Sequence, residues 1–68
     1  MQLLKTLFRE SDHGQYRAEI YKETETDFYI QYYGPSGPIK KMPYKNSSIL
    51  FVESMASNWL SSIKVLNG

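Results

Sequence analysis

The chain has 68 residues, eight basic and seven acidic side chains, one histidine and no cysteine. That length admits one domain, the missing cysteines exclude disulfides and thiolate metal sites, and a net charge of +1 supplies no general pull toward nucleic acid or a membrane surface. The aromatic content stands out: six Tyr, three Phe and one Trp make 15% of the chain. Tyrosine suits half-covered sheets and contact surfaces, because its ring buries while its hydroxyl stays wet.

Residues 2–10 carry apolar side chains at Leu3, Leu4, Leu7 and Phe8, interrupted by Lys5 and Arg9. We assign them to a first strand, although the spacing also fits a helical turn. The charges within this run and the lack of a small-residue cleavage site argue against a signal peptide. No apolar run approaches the length that spans a bilayer, so no membrane association is expected. Ser11-Asp12-His13-Gly14 has the residue types of a turn.

Residues 15–23 alternate Tyr16, Ala18 and Ile20 with Arg17, Glu19 and Tyr21, the two-residue period of a half-buried strand. Thr24-Glu25-Thr26-Asp27 is the polar hairpin loop. Residues 28–33 set Phe28, Ile30 and Tyr32 on one face and Tyr29, Gln31 and Tyr33 on the other. Gly34-Pro35-Ser36-Gly37-Pro38 breaks the strand. Residues 39–44 return as a short edge strand, because Pro43 removes a ladder donor and Lys40, Lys41 and Lys45 oppose edge-to-edge pairing.

Asn46, Ser47 and Ser48 are N-cap candidates. From Ile49 onward no Pro or Gly intervenes until Gly68, and Asn67-Gly68 reads as the helix end. At 100° per residue, Val52, Ala56, Trp59 and Ile63 share one stripe. Met55 and Leu66 flank it on one side, Ile49 and Leu60 on the other; Ser54, Ser57, Asn58 and Ser61 lie opposite. The expected architecture is α+β: a three- to four-stranded antiparallel meander packed on one C-terminal helix. The expected core is Tyr16, Ala18, Ile20, Phe28, Ile30, Val52, Ala56, Trp59 and Ile63. Arg17, Glu19, Tyr21, Tyr29, Gln31 and Tyr33 should occupy the uncovered face.

The stretch Tyr16-Arg17-Ala18-Glu19-Ile20-Tyr21-Lys22, the later aromatic strand and the helix bearing Trp59 resemble short uncharacterised proteins of marine cyanobacterial phages and their hosts. The resemblance runs from the Lys-Thr-Leu-Phe segment to Trp59-Leu60. It departs at the helix start, where Ile49-Leu50-Phe51-Val52 replaces an acidic beginning. It implies a phage or host accessory protein in the bacterial cytoplasm, and carries no catalytic residues across.

The residues themselves point away from catalysis. A nucleophilic site needs a nucleophile, a base and an orienting group within reach, and His13, the lone imidazole, sits in a turn. Glu23, Glu25 and Asp27 cluster at a wet hairpin tip and lack the oxygen spacing of a calcium loop. Prolines in the 34–38 segment remove the backbone donors a phosphate loop requires. We therefore expect no enzyme activity, no cofactor and no metal.

Two surfaces remain. Tyr21, Tyr29 and Tyr33 with Arg17 form a face suited to a protein partner or a second copy. It also suits single-stranded nucleic acid, with Arg17, Lys40 and Lys41 holding phosphates and Tyr29 and Tyr33 stacking bases. Cross-strand pairing for stability alone is the plain alternative. The second surface is the helix start: Ile49, Leu50, Phe51 and Val52 cannot all face one core, leaving Leu50 and Phe51 for a partner. The leading expectation is a small, self-associating protein-binding module, a homodimer; the rival is a single-stranded nucleic-acid binder.

Overall fold

A computed structural model describes residues 2–63 of the chain. Four strands, β1 (Gln2–Ser11), β2 (Gly14–Lys22), β3 (Phe28–Gly34) and β4 (Gly37–Tyr44), precede one helix, α1 (Ile49–Ser61). The strands form a single sheet in the order β1-β2-β3-β4, and every neighbouring pair is antiparallel. This is the expected α+β meander with a C-terminal helix, with all four strands present. Among the described residues, no helix is long and apolar enough to cross a membrane.

The turns follow local chemistry. Asp12 and His13 join β1 to β2, where Ser11 Oγ donates to the Gly14 carbonyl at 2.8 Å and the His13 N–H donates to Ser11 Oγ at 3.2 Å. Gly14 takes φ +126°, and a Cβ placed there would lie 2.9 Å from Pro35 Cβ. Only glycine meets both demands without strain. The same contact sets the β1–β2 and β3–β4 turns side by side at one end of the sheet.

Asp27 organises the opposite end. Its carbonyl accepts the N–H groups of Glu23 at 2.9 Å and Thr24 at 3.2 Å, closing the β2–β3 loop. Its carboxylate accepts the Asn46 N–H at 3.1 Å, and the Thr26 carbonyl accepts the Ser47 N–H at 2.8 Å. These bonds tie the segment leading into the helix to the sheet. Asn46 turns the chain with φ +53°, a left-handed conformation that asparagine tolerates better than most residues. Ser48 then caps the helix: its extended backbone ends the loop, and its Oγ accepts the Phe51 N–H at 3.2 Å.

The helix covers one sheet face. Ala18, Ile20, Ile30, Val52 and Ala56 are fully enclosed, and Phe28, Tyr32 and Leu60 complete the buried cluster. Alanines on β2 and on α1 keep side-chain bulk low where helix and sheet meet. Three expected core members are only half-buried: Tyr16 and Trp59 pack against the margin of the cluster, and Ile63 is outside it, beyond the end of α1. Trp59 lies with ring centroids 4.3 Å from Tyr32 and 6.1 Å from Tyr16. The helix is thus rotated toward Leu60, so that the bulky indole closes the edge of the core rather than its centre. The described helix ends at Ser61, where the Ser62 N–H bonds back to the carbonyls of Asn58 and Trp59. The expected end at Asn67-Gly68, and Leu66, lie outside the described residues.

Candidate functional site

Register and alternation decide which side chains meet on the uncovered face. Tyr21 stands opposite Tyr29, Glu19 opposite Gln31 and Arg17 opposite Tyr33. Across β1, Phe8 faces Arg17, Thr6 faces Glu19 and Leu3 faces Tyr21; across β4, Lys41 faces Gln31 and Pro43 faces Tyr29. Directly opposed residues share a face, so Phe8, Leu3 and Lys41 join the expected group.

Lys40 does not. It pairs with Tyr32, on the helix-bearing side, and its Nζ stands 5.5 Å from the Tyr32 ring centroid. A single phosphate track using both Lys40 and Lys41 beside Tyr29 and Tyr33 is therefore not assembled, because adjacent strand residues point to opposite faces.

The tyrosine face is largely engaged with itself. Tyr21 and Tyr29 stack with centroids 4.8 Å apart and an interplanar angle of 15°. Lys41 Nζ lies 4.1 Å from the centre of the Tyr29 ring. Tyr29 consequently retains only 6% of its exposure although no helix covers it. Arg17 places its guanidinium 3.8 Å from the Tyr33 ring centroid and pairs with Glu19 at 3.1 Å. The Tyr21 hydroxyl donates to Glu19 Oε1 at 2.8 Å. Gln31 Nε2 donates to the Lys40 carbonyl at 2.9 Å.

The acidity of the phenols records these contacts. The hydrogen bond to Glu19 is the main cause pushing the Tyr21 hydroxyl up to about 12, with desolvation and the Glu19 charge acting in the same direction. Desolvation raises Tyr29. On the covered face, burial, with Tyr44 beside it, holds Tyr32 protonated well above the ordinary tyrosine range. None of these phenols is prepared to act as a base near neutrality.

The helix start has the opposite character. Leu50 keeps 72% of its exposure and Phe51 51%. Phe51 meets Tyr44 edge-on with centroids 6.0 Å apart, which steadies the ring without covering it. Leu50 overlooks a shallow groove between α1 and β1, lined by Lys5, Leu7, Glu53, Ser54 and Ser57. Lys5 and Glu53 pair across it at 3.6 Å. Met42 and Ile39 on β4 are also exposed.

A third feature is absent from the sequence-based expectations. Phe8 keeps 58% of its exposure on the edge strand β1, whose Leu3 and Leu4 are also exposed. Leu4 sits at an irregularity where pairing with β2 slips between Leu3 and Lys5. The run Leu3-Leu4-Lys5-Thr6-Leu7-Phe8 contained the apolar signal, but alternation alone does not reveal which strands end up at the edges.

No family model, no curated protein and no solved structure matches the chain.

Proposed function

We propose that this chain is a small, non-catalytic binding module that self-associates and occupies a surface of another protein. The observation that carries the contact with another protein is the exposure of Leu50 and Phe51 on the first turn of α1, at 72% and 51%; self-association is motivated separately, by the small core of a domain with no disulfide. Burying such a side chain is worth about 1.5–3 kcal/mol, so a contact covering both has an ample driving force. The tyrosine face supports this reading more than nucleic-acid binding: Arg17 and Lys41 already sit over Tyr33 and Tyr29, and Tyr29 is too enclosed to stack a base. The resemblance to short proteins of marine cyanobacterial phages supports an accessory role in the cytoplasm of a bacterial cell.

Sedimentation equilibrium at micromolar concentration tests the proposal. The expected species has twice the mass of the 7.9 kDa protomer. A strict monomer whose solubility is unchanged by Leu50→Asp with Phe51→Asp would overturn it.

A further inference from the structure

The backbone of the sheet specifies where a second copy attaches. Proline has no N–H, so the Pro43 nitrogen must point away from β3. Pro43 stands opposite Tyr29, and alternation along β3 then turns the backbone groups of Tyr29, Gln31 and Tyr33 toward β2. Pro38, opposite Tyr33, obeys the same parity. So does the Glu23 N–H bond to the Asp27 carbonyl, two residues beyond the Tyr21–Tyr29 pair. On β2, Arg17, Glu19 and Tyr21 therefore bond to β3, while Tyr16, Ala18 and Ile20 bond to β1. Their partners on β1 are Arg9, Leu7 and Lys5. The backbone N–H and C=O groups of Thr6, Phe8 and Glu10 consequently face outward, with no strand beside them among the described residues.

The two sheet edges are unequally protected. β4 carries Pro38, Lys40, Lys41 and Pro43, the usual obstacles to edge pairing. β1 is ten residues long and has no proline. Its one irregularity is at Leu4, leaving residues 5–11 as a regular run. Phe8 is the midpoint of that run.

We infer that two copies pair antiparallel through β1, with Phe8 opposite Phe8 on the twofold axis, to give a continuous eight-stranded sheet. The inference deepens the self-association proposed above and rests on it. Charge selects the register. Outward groups sit on even-numbered residues, so the axis falls on a residue rather than between two, with Thr6, Leu7, Phe8 and Arg9 as the choices. Centring on Arg9 sets that cation opposite itself and shortens the ladder. Centring on Leu7 sets Lys5 opposite Arg9 twice, a like-charge juxtaposition that opposes pairing. Centring on Thr6 sets Phe8 against the irregularity at Leu4. Centring on Phe8 uses the whole regular run, with Thr6 opposite Glu10, Leu7 opposite Arg9 and Lys5 opposite Ser11. It forms about six ladder hydrogen bonds.

The twofold axis stands perpendicular to the sheet, so both helices lie on the same side. The part of α1 bordering Phe8 and Arg9 presents Ser57 and Ser61, both exposed. These small, uncharged side chains leave room for the second helix. On the other face, the Phe8 pair extends the row that already contains Arg17 and Tyr33. A second copy is the occupant because association is one of the few ways a domain of this size with no disulfide adds to its small core, and because the open edge is complementary to itself in the register above.

Hydrogen exchange on the full chain, at low and high protein concentration, tests the pairing. Amides of Thr6, Phe8 and Glu10 should slow at least tenfold as concentration rises through the dimerisation range. Amides of Leu7 and Arg9, bonded to β2, should be protected at both. Phe8→Pro removes an outward N–H and a largely exposed ring but no backbone bond to β2, and should sediment as a folded monomer, whereas Phe8→Ala, which keeps the N–H, should retain the β1 pairing. Leu50→Asp with Phe51→Asp should remain dimeric. A dimer that survives Phe8→Pro, or whose Phe8 amide exchanges equally fast at both concentrations, overturns this interface while leaving self-association standing. A wild-type monomer at all concentrations overturns both.

Discussion

Replacing Tyr21 separates the two interactions that close the uncovered face. Tyr21→Phe keeps the ring stacked on Tyr29 and removes the 2.8 Å hydrogen bond to Glu19. Hydrogen bonds to charged groups are worth about 1.5–3 kcal/mol when buried. Tyr21 is half-buried, and solvent screening reduces its share to about 1 kcal/mol. Tyr21→Ala removes the stack as well, worth about 0.5–1.5 kcal/mol beyond area. It also exposes part of the Tyr29 ring, adding about 1 kcal/mol for some 40 Å² at ~25 cal/mol/Å². The alanine variant should therefore lose about 3 kcal/mol and the phenylalanine variant about 1 kcal/mol. Urea denaturation reports these losses directly: with a slope of about 1 kcal/mol/M, the midpoints should fall by about 3 M and 1 M. Equal losses in the two variants would refute the stacking argument, since both lack the hydroxyl and only alanine lacks the ring.

The same pair fixes a dependence on pH. The Tyr21 hydroxyl is raised from 10.0 to about 12 in the folded protein, so folding favours its protonated form. The advantage of wild type over Tyr21→Phe should be complete below pH 10 and should disappear as pH rises through about 12. An advantage that grows over that interval would contradict the sign.

Ile30 is fully enclosed at the centre of β3. Ile30→Ala should cost about 2–5 kcal/mol, comparable with the roughly 3–5 kcal/mol available to so small a core, and should leave the chain largely unfolded by circular dichroism at 25 °C. Ser48→Ala removes the acceptor of the Phe51 N–H and should lower the urea midpoint by about 1 kcal/mol equivalent; an unchanged midpoint would place the cap elsewhere.

Much of this fold is legible from residue order. Tyr16-Arg17-Ala18-Glu19-Ile20-Tyr21 and Phe28-Tyr29-Ile30-Gln31-Tyr32-Tyr33 alternate because a strand presents successive side chains to opposite faces. The Gly and Pro cluster at 34–38 marks a turn through local backbone preference. Ser48 caps a helix through a hydrogen bond three residues away. Each of these signals is short-range, so the chain expresses it without knowing its neighbours.

Other features depend on neighbours. Helical spacing placed Val52, Ala56, Trp59 and Ile63 on one stripe, but packing against Tyr16 and Tyr32 turned Leu60 inward and left Trp59 at the margin. Alternation put Tyr29 on the uncovered face correctly. Its near-complete enclosure comes from Tyr21 on β2 and Lys41 on β4, residues brought alongside by register. The exposure of Phe8 is not legible in the sequence, because exposure at a sheet edge depends on strand order.

Local periodicity, turn chemistry and capping thus determined the kind and order of the elements from β2 to α1, but left the strand count at three to four and residues 2–10 open between a strand and a helical turn. Tertiary structure alone decided the rotation of the helix, the self-engagement of the tyrosines and the identity of the unprotected edge. The reason is physical: side-chain alternation and backbone propensity act over a few residues, whereas burial and free hydrogen-bonding groups are properties of which strands become neighbours.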